Sequence, residues 1–335
     1  MSLRLAHALE FGVVPPLAGP MLAINAYRSA DIAALPQGGL QVQQGDYMAH
    51  AALVAAGYAV APQVEGRFAG ALVLAAQNRE QNFGHLAQAV SMVEPGGIVL
   101  LDGAKSAGID ALARSLKVAG LAVETHAKAH GKLVWFHRPE TLPETFSEWA
   151  GLAGMQENAA GFITAPGMFS HAKPDAGSAF LAAFLPENLT GSVADFGAGW
   201  GWLSAEILAR NPSLDDLHLV EADHAALTAA RRNISDGRAR FHWGDATQNT
   251  GPARFGTIIM NPPFHRQGAT NPDLGRDFIT SAASQLAPTG QLYMVANRQL
   301  PYEATLAGLF GEVNTLAQSG VYKVIHAARP KRRGK

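Results

Sequence analysis

The stretch D-F-G-A-G-W-G-W-L-S, Asp195 to Ser204, decides how the second half of this chain is read. Before it, S-V-A-D-F (Ser192 to Phe196) is a short apolar run; after it, W-L-S-A-E-I-L-A-R (Trp202 to Arg210) has helical character. Gly197, Gly199 and Gly201 lie between the two. Glycine lets a chain turn sharply and lets a ligand approach the backbone without meeting a Cβ atom. A strand-to-helix turn that serves a ligand is therefore expected. The spacing argues against a dinucleotide: the third glycine of that fingerprint belongs three residues after the second, where Trp202 stands.

Outward from this turn the alternation continues. L-H-L-V (Leu217 to Val220), A-R-F-H-W (Ala239 to Trp243), T-I-I-M (Thr257 to Met260) and Q-L-Y-M-V-A (Gln291 to Ala296) read as strands. Helical segments, His224 to Asn233 and Asp277 to Leu286, fall among them. This rhythm predicts a doubly wound, mainly parallel α/β sheet that binds ligands at the carboxyl ends of its strands.

The first half echoes the second. A-L-V-L-A-A-Q (Ala71 to Gln77) is similar to T-I-I-M-N-P-P, Glu94 to Ala104 to Ala287 to Asn297, and Gly120 to Pro139 to Phe310 to Pro330. We read two tandem Rossmann-like domains, 1–150 and 151–335, with the Pro- and acid-rich stretch Arg138 to Trp149 as linker. The N-terminal one is degenerate. It carries A-A-Q-N (Ala75 to Asn78) in place of N-P-P-F, and M-L-A-I-N-A-Y-R-S (Met21 to Ser29) in place of the glycine loop.

Composition bounds the chemistry. The 335 residues are 48% hydrophobic and 16% charged with net charge −1, so the chain is globular and no polycation. Five bases crowd Arg329 to Lys335, a basic tail that suits RNA or a solvated terminus. With no cysteine, disulfides, thiolate metal sites and cysteine nucleophiles are excluded, including the covalent route to methylating a pyrimidine carbon. Glu10 and Pro15-Pro16 interrupt any signal-peptide core, and no apolar run approaches the length of a membrane span. A cytoplasmic monomer is expected, with no membrane and no metal; His126 and His130 have i, i+4 spacing but no H-E-x-x-H context.

N-P-P-F (Asn261 to Phe264) ends the T-I-I-M strand. An exocyclic amine is a poor nucleophile because its lone pair is delocalised. It needs acceptors that hold its hydrogens so that the lone pair points at the reacting carbon. The Asn261 amide oxygen and the Pro262 carbonyl can supply those acceptors, the prolines stiffen the turn, and Phe264 can stack on a planar substrate. Glu221 ends the L-H-L-V strand, where a carboxylate can accept ribose hydroxyls, and Asp245 ends the next. With Asp195, three acids each follow their own strand, a pattern that favours a nucleoside site.

The glycine turn resembles motif I of class I S-adenosylmethionine-dependent methyltransferases, and N-P-P-F resembles motif IV of those that modify amino groups. A-P-G-M-F-S (Ala165 to Ser170), D-A-G-S-A-F-L (Asp175 to Leu181), the glycine turn, N-P-P-F-H, V-A-N-R-Q-L-P-Y (Val295 to Tyr302) and G-V-Y-K-V (Gly320 to Val324) follow one another as in the ribosomal RNA small subunit methyltransferase C family. The resemblance implies S-adenosyl-L-methionine as cofactor, held by Asp195, Gly197, Gly199, Gly201, Glu221, Asp245 and Phe169. It implies methylation of the exocyclic N2 of a guanine in 16S rRNA of the small ribosomal subunit, with the first domain aiding folding and RNA docking. Independently of the resemblance, Arg298 and Lys323 are candidates for contact with RNA phosphate, and His265, beside the clamp, for contact with substrate. Phe196, Ala198, Trp200 and Glu221 depart from the residues usual in that pattern. Large-subunit 23S rRNA, a protein glutamine, or a non-catalytic role in assembly stay open at this point.

Overall fold

The structure is a computed structural model describing residues 3–248, 254–263, 265–266, 269–270 and 272–331, with backbone alone at 265, 266, 269, 270 and 272. The chain divides into two compact units, Met1–Met155 with Ala165–Gly167, and Gln156–Thr164 with Met168–Lys335.

The second unit carries a seven-stranded sheet. In chain order its strands are Gly191–Phe196, Leu214–Glu221, Ala239–Trp243, Phe255–Met260, Leu286–Asn297, Phe310–Gln318 and Tyr322–Pro330. Across the sheet they run 3-2-1-4-5-7-6. The first five are mutually parallel, and the seventh lies antiparallel between the fifth and the sixth. Side-chain alternation explains why these runs become strands covered on both faces. Ala194, Phe196, Ile258 and Met260 pack with Phe278, Ile279 and Tyr302 on one face, whereas Val193, Leu219 and Ile259 pack with Leu181, Ile207 and Leu227 on the other. Strand order reverses between the first and fourth strands, whose last residues, Phe196 and Met260, are register partners. A crevice opens at such a reversal. The glycine turn and Asn261 follow those two residues directly.

The first unit repeats the plan with strands Met21–Ile24, Gln41–Gln43, Ala59–Ala61, Phe68–Leu74, Val93–Ala104, Glu124–Lys128 and Gly131–His137, again in the order 3-2-1-4-5-7-6. Even irregularities recur: the pairing of fourth and fifth strands shifts register after Phe68 in one sheet and after Phe255 in the other. This registration corrects the sequence comparison by one residue. Ile24 pairs with Val73 as Phe196 pairs with Met260, so Leu74, not Ala75, occupies the place of Asn261.

The expected linker is also corrected. Thr145–Ala153 is a helix of the first unit, with Phe146 and Trp149 buried in its core. Trp149 stacks on Phe83 with ring centroids 4.3 Å apart. The i, i+3 spacing of these two aromatics puts both on one helical face, and burying them outweighs the flanking Pro and acidic residues. His126 lies within the Glu124–Lys128 strand, and His130 in the turn after it, so their spacing is not helical. No helix among the described residues is long and apolar enough to cross a membrane, and no group of three metal-ligating side chains occurs among them.

Candidate active site

The turn after the first strand takes its shape from its glycines. Gly197, Gly199 and Gly201 have φ of +77°, +57° and +90°, a region costly for residues with a Cβ. Gly201 is needed for packing too: a Cβ there would lie 2.9 Å from Ile234 Cδ1 and 3.1 Å from Ala230 Cβ. A Cβ on Gly199 would meet nothing within 4 Å. Backbone at Gly199 therefore faces open space, and Gly197 and Gly199 both line a cleft of about 440 Å³ including its mouth.

Asp195, Phe169, Ser170, Asp175, Ser178, Trp200, Trp202 and Asn261 line the same cleft. Asp195 is buried and accepts a 2.6 Å hydrogen bond from Ser204 Oγ, on the helix that follows the glycine turn. Burial raises its pKa to about 7, against the lowering effect of the Ser204 bond. Trp200 Nε1 donates to the Phe169 carbonyl at 2.9 Å. That bond fixes the backbone, while Phe169 as a residue stays 65% exposed at the cleft.

Glu221, one strand over, is tied to the turn directly. One carboxyl oxygen accepts from Gly199 N–H at 2.7 Å and the other from Asp223 N–H at 2.8 Å. Burial pushes its pKa up to about 7, with the Asp223 N–H bond the largest opposing effect. Asp245 is buried, and its carboxylate accepts from the Thr247 N–H and hydroxyl at 2.9 and 2.7 Å. It holds its own loop; neither it nor Glu221 lines the cleft itself, but Glu221 adjoins it through its bond to the cleft-lining Gly199.

Asn261 is clamped. Its Nδ2 donates to Asp175 Oδ2 at 2.8 Å and to Ser178 Oγ at 2.9 Å. Pro262 is buried and Pro263 exposed. Phe264 lies outside the described residues, as does the side chain of His265, whose backbone pairs with Thr270 in a two-residue antiparallel ladder. Arg298 is exposed just past the fifth strand, on the same edge of the sheet as the glycine turn. Lys323 corrects the sequence reading. It is buried, and its ammonium donates to the Leu300 carbonyl and pairs with Glu303. A cation held this way braces the 300–303 turn and is not offered to a phosphate. Sequence reasoning assigned no role to Asp175, Ser178 or Trp202, though D-A-G-S was visible as a motif.

The corresponding positions of the first unit are bonded differently. Asn25, at φ +56°, stands where Gly197 stands, each N–H bonded to the strand-two carbonyl beside it. Gln44, buried, replaces Glu221; its Oε1 accepts from Asp46 N–H at 2.8 Å as Glu221 accepts from Asp223. Its Nε2 then donates to the Ala26 carbonyl, and Asn25 Nδ2 donates to the Leu74 carbonyl at 2.9 Å. The two walls that bound a cleft in the second unit are thereby bonded to each other in the first.

Residues 159–326 match the family model described as the methyltransferase small domain. The ribosomal RNA small subunit methyltransferase C of Shewanella oneidensis is 32% identical over 241 residues, covering 69% of this chain and 69% of that protein. Its counterpart from Shewanella amazonensis is 36% identical over 160 residues, 47% of this chain and 46% of the relative's length. The structure is similar to that of the T. thermophilus 16S rRNA N2 G1207 methyltransferase, solved with AdoMet and guanosine, with a TM-score of 0.77 over 96% of this chain and 91% of that one. At 22% identity, that likeness concerns the fold.

Proposed function

Since the chain belongs to the ribosomal RNA small subunit methyltransferase C family, we propose that it transfers a methyl group from S-adenosylmethionine to the exocyclic N2 of a guanine in 16S rRNA of the small ribosomal subunit. The observation that carries the proposal is the sharing of one cleft by Asn261 and the Gly197–Gly199 backbone at the point where strand order reverses.

The residues present fit the cofactor. Gly199 leaves its backbone open to a ligand, Glu221 offers carboxylate lone pairs beside that turn, and Phe169 presents an exposed aromatic face. Asp195, Gly197, Gly199 and Glu221 would hold it, while Gly201 lets the following helix pack closely enough to keep the turn in shape. When bound, S-adenosylmethionine supplies a methyl on a sulfonium centre, an electrophile that needs no metal ion.

The chain's own task is to present the amine. A guanine N2 carries two hydrogens and a lone pair conjugated with the ring. Acceptors at the Asn261 side-chain oxygen and the Pro262 carbonyl would take the hydrogens, turn the lone pair out of conjugation and disperse the positive charge that grows on nitrogen. Phe264 would stack on the base, and Arg298 would contact RNA phosphate from the sheet edge. The first unit, its crevice closed, serves folding and RNA docking.

The test is incubation of small subunits lacking the modification with labelled S-adenosylmethionine, followed by mapping of the labelled nucleotide. Label at one guanine N2 of 16S rRNA is expected. Label on large subunits or on protein, or none on RNA, overturns the proposal.

A further inference from the structure

The D-A-G-S stretch, Asp175 to Ser178, is not accounted for by cofactor binding. Asp175 caps the Ala176–Ala182 helix: its side chain accepts from Ser178 N–H at 2.9 Å. The same oxygen, Oδ2, also accepts from Asn261 Nδ2 at 2.8 Å, and Ser178 Oγ accepts the other amide hydrogen at 2.9 Å. Gly177 makes room for this. A Cβ there would fall 2.9 Å from Asp175 Oδ2 and 3.2 Å from a ring carbon of Tyr322. An ordinary side chain at position 177 would dislodge the carboxylate from its double duty.

An aspartate carboxylate only accepts hydrogen bonds, so the edge of the Asn261 amide that faces it must be the NH2 edge. In a planar amide the oxygen then points away from Asp175 and Ser178. An unrestrained asparagine could rotate by half a turn and offer its donors to the substrate amine, which is itself a donor and would be repelled. We propose that Asp175 and Ser178 are positioning residues that lock the Asn261 amide with its oxygen toward the methyl-accepting amine. The inference rests on the reading of Asn261 as an acceptor for that amine.

Helix capping and amide positioning separate experimentally because they need different reach. Asp175→Asn keeps an acceptor oxygen under the Ser178 N–H and beside Asn261. Asp175→Ser keeps the cap, since serine caps as well as aspartate, but its shorter side chain falls short of Asn261. Both variants are expected to melt close to the wild type and to bind S-adenosylmethionine within about twofold of it. Methyl transfer at saturating cofactor and subunits should stay within about threefold of the wild type in Asp175→Asn and fall about 100-fold in Asp175→Ser, in line with the misplacement of a group that orients the substrate. A second readout is independent of activity. The 15N-labelled side-chain amide protons of Asn261, identified by their absence in Asn261→Ala, should exchange slowly with solvent in the wild type and Asp175→Asn, and fast in Asp175→Ser. Undiminished transfer in Asp175→Ser, an equal loss in Asp175→Asn, or identical amide exchange in all three overturns the inference. A wild type that shows protected Asn261 protons but labels no RNA refutes the proposed function and leaves the amide lock standing.

Discussion

Gly199 and Gly201 sit two residues apart in one turn, both at positive φ, yet replacing each with alanine should fail in different ways. In Gly201→Ala the new methyl lies 2.9 Å from Ile234 Cδ1, 3.1 Å from Ala230 Cβ and 3.4 Å from Ala230 Cα. The left-handed conformation costs about 1–2 kcal/mol for a residue with a Cβ, and a methyl forced into a packed helix contact costs about 1–3 kcal/mol more. The sum, about 2–5 kcal/mol, corresponds to a melting temperature lower by roughly 5–15 °C for a unit of this size. In Gly199→Ala the methyl meets nothing within 4 Å, so only the conformational cost remains and the melting temperature should fall by about 2–6 °C. Gly199 lines the cleft, however, and S-adenosylmethionine affinity should drop by about tenfold or more, equivalent to about 1.4 kcal/mol. Differential scanning calorimetry and titration calorimetry on the two variants measure both quantities. Equal melting temperatures, or wild-type affinity in Gly199→Ala, would show that the packing and ligand roles have been assigned to the wrong glycines.

Asn261→Ala should abolish transfer while keeping cofactor affinity. Glu221→Ala should weaken cofactor binding by about 10- to 100-fold through loss of hydrogen bonds to a charged group; comparable affinity losses in both variants would refute this division. The raised pKa of Asp195, about 7, makes a pH prediction. Its folded form binds a proton that the unfolded chain has already lost, so its contribution to stability is present below about pH 4 and disappears as pH rises through about 7. The melting temperature of Asp195→Asn minus that of the wild type should therefore grow more positive from pH 5 to pH 8, and a constant difference would contradict the burial argument. Arg298→Ala should flatten the salt dependence of subunit binding by about one charge, whereas Lys323→Ala should lower stability and leave that slope unchanged; filter binding over a salt series distinguishes them.

The sequence revealed those features of the fold that are local. Alternating runs such as S-V-A-D-F and T-I-I-M mark buried strands by period and length, and Gly197, Glu221 and Asn261 are legible because each terminates such a strand. The contact between Asp175 and Asn261 spans 86 residues and exists only because the sheet's order brings the two segments together, so no local pattern announces it. Lys323 misled for a related reason: on a strand, a basic residue beside Tyr322 looks solvent-facing until the 300–303 turn folds over it. Phe146 and Trp149 were obscured by their Pro- and Glu-rich surroundings, although their own spacing marked an apolar helical face.

The closure of the first unit's crevice by Asn25 and Gln44 has a consequence for reversibility. Restoring a carboxylate at position 44 would set a buried negative charge against the Ala26 carbonyl, where an amide hydrogen now sits. Restoring glycine at position 25 would strip the Leu74 carbonyl of its partner before any ligand could replace it. Each of these substitutions is uphill on its own, so no single change toward the second unit's residues opens the first unit's crevice.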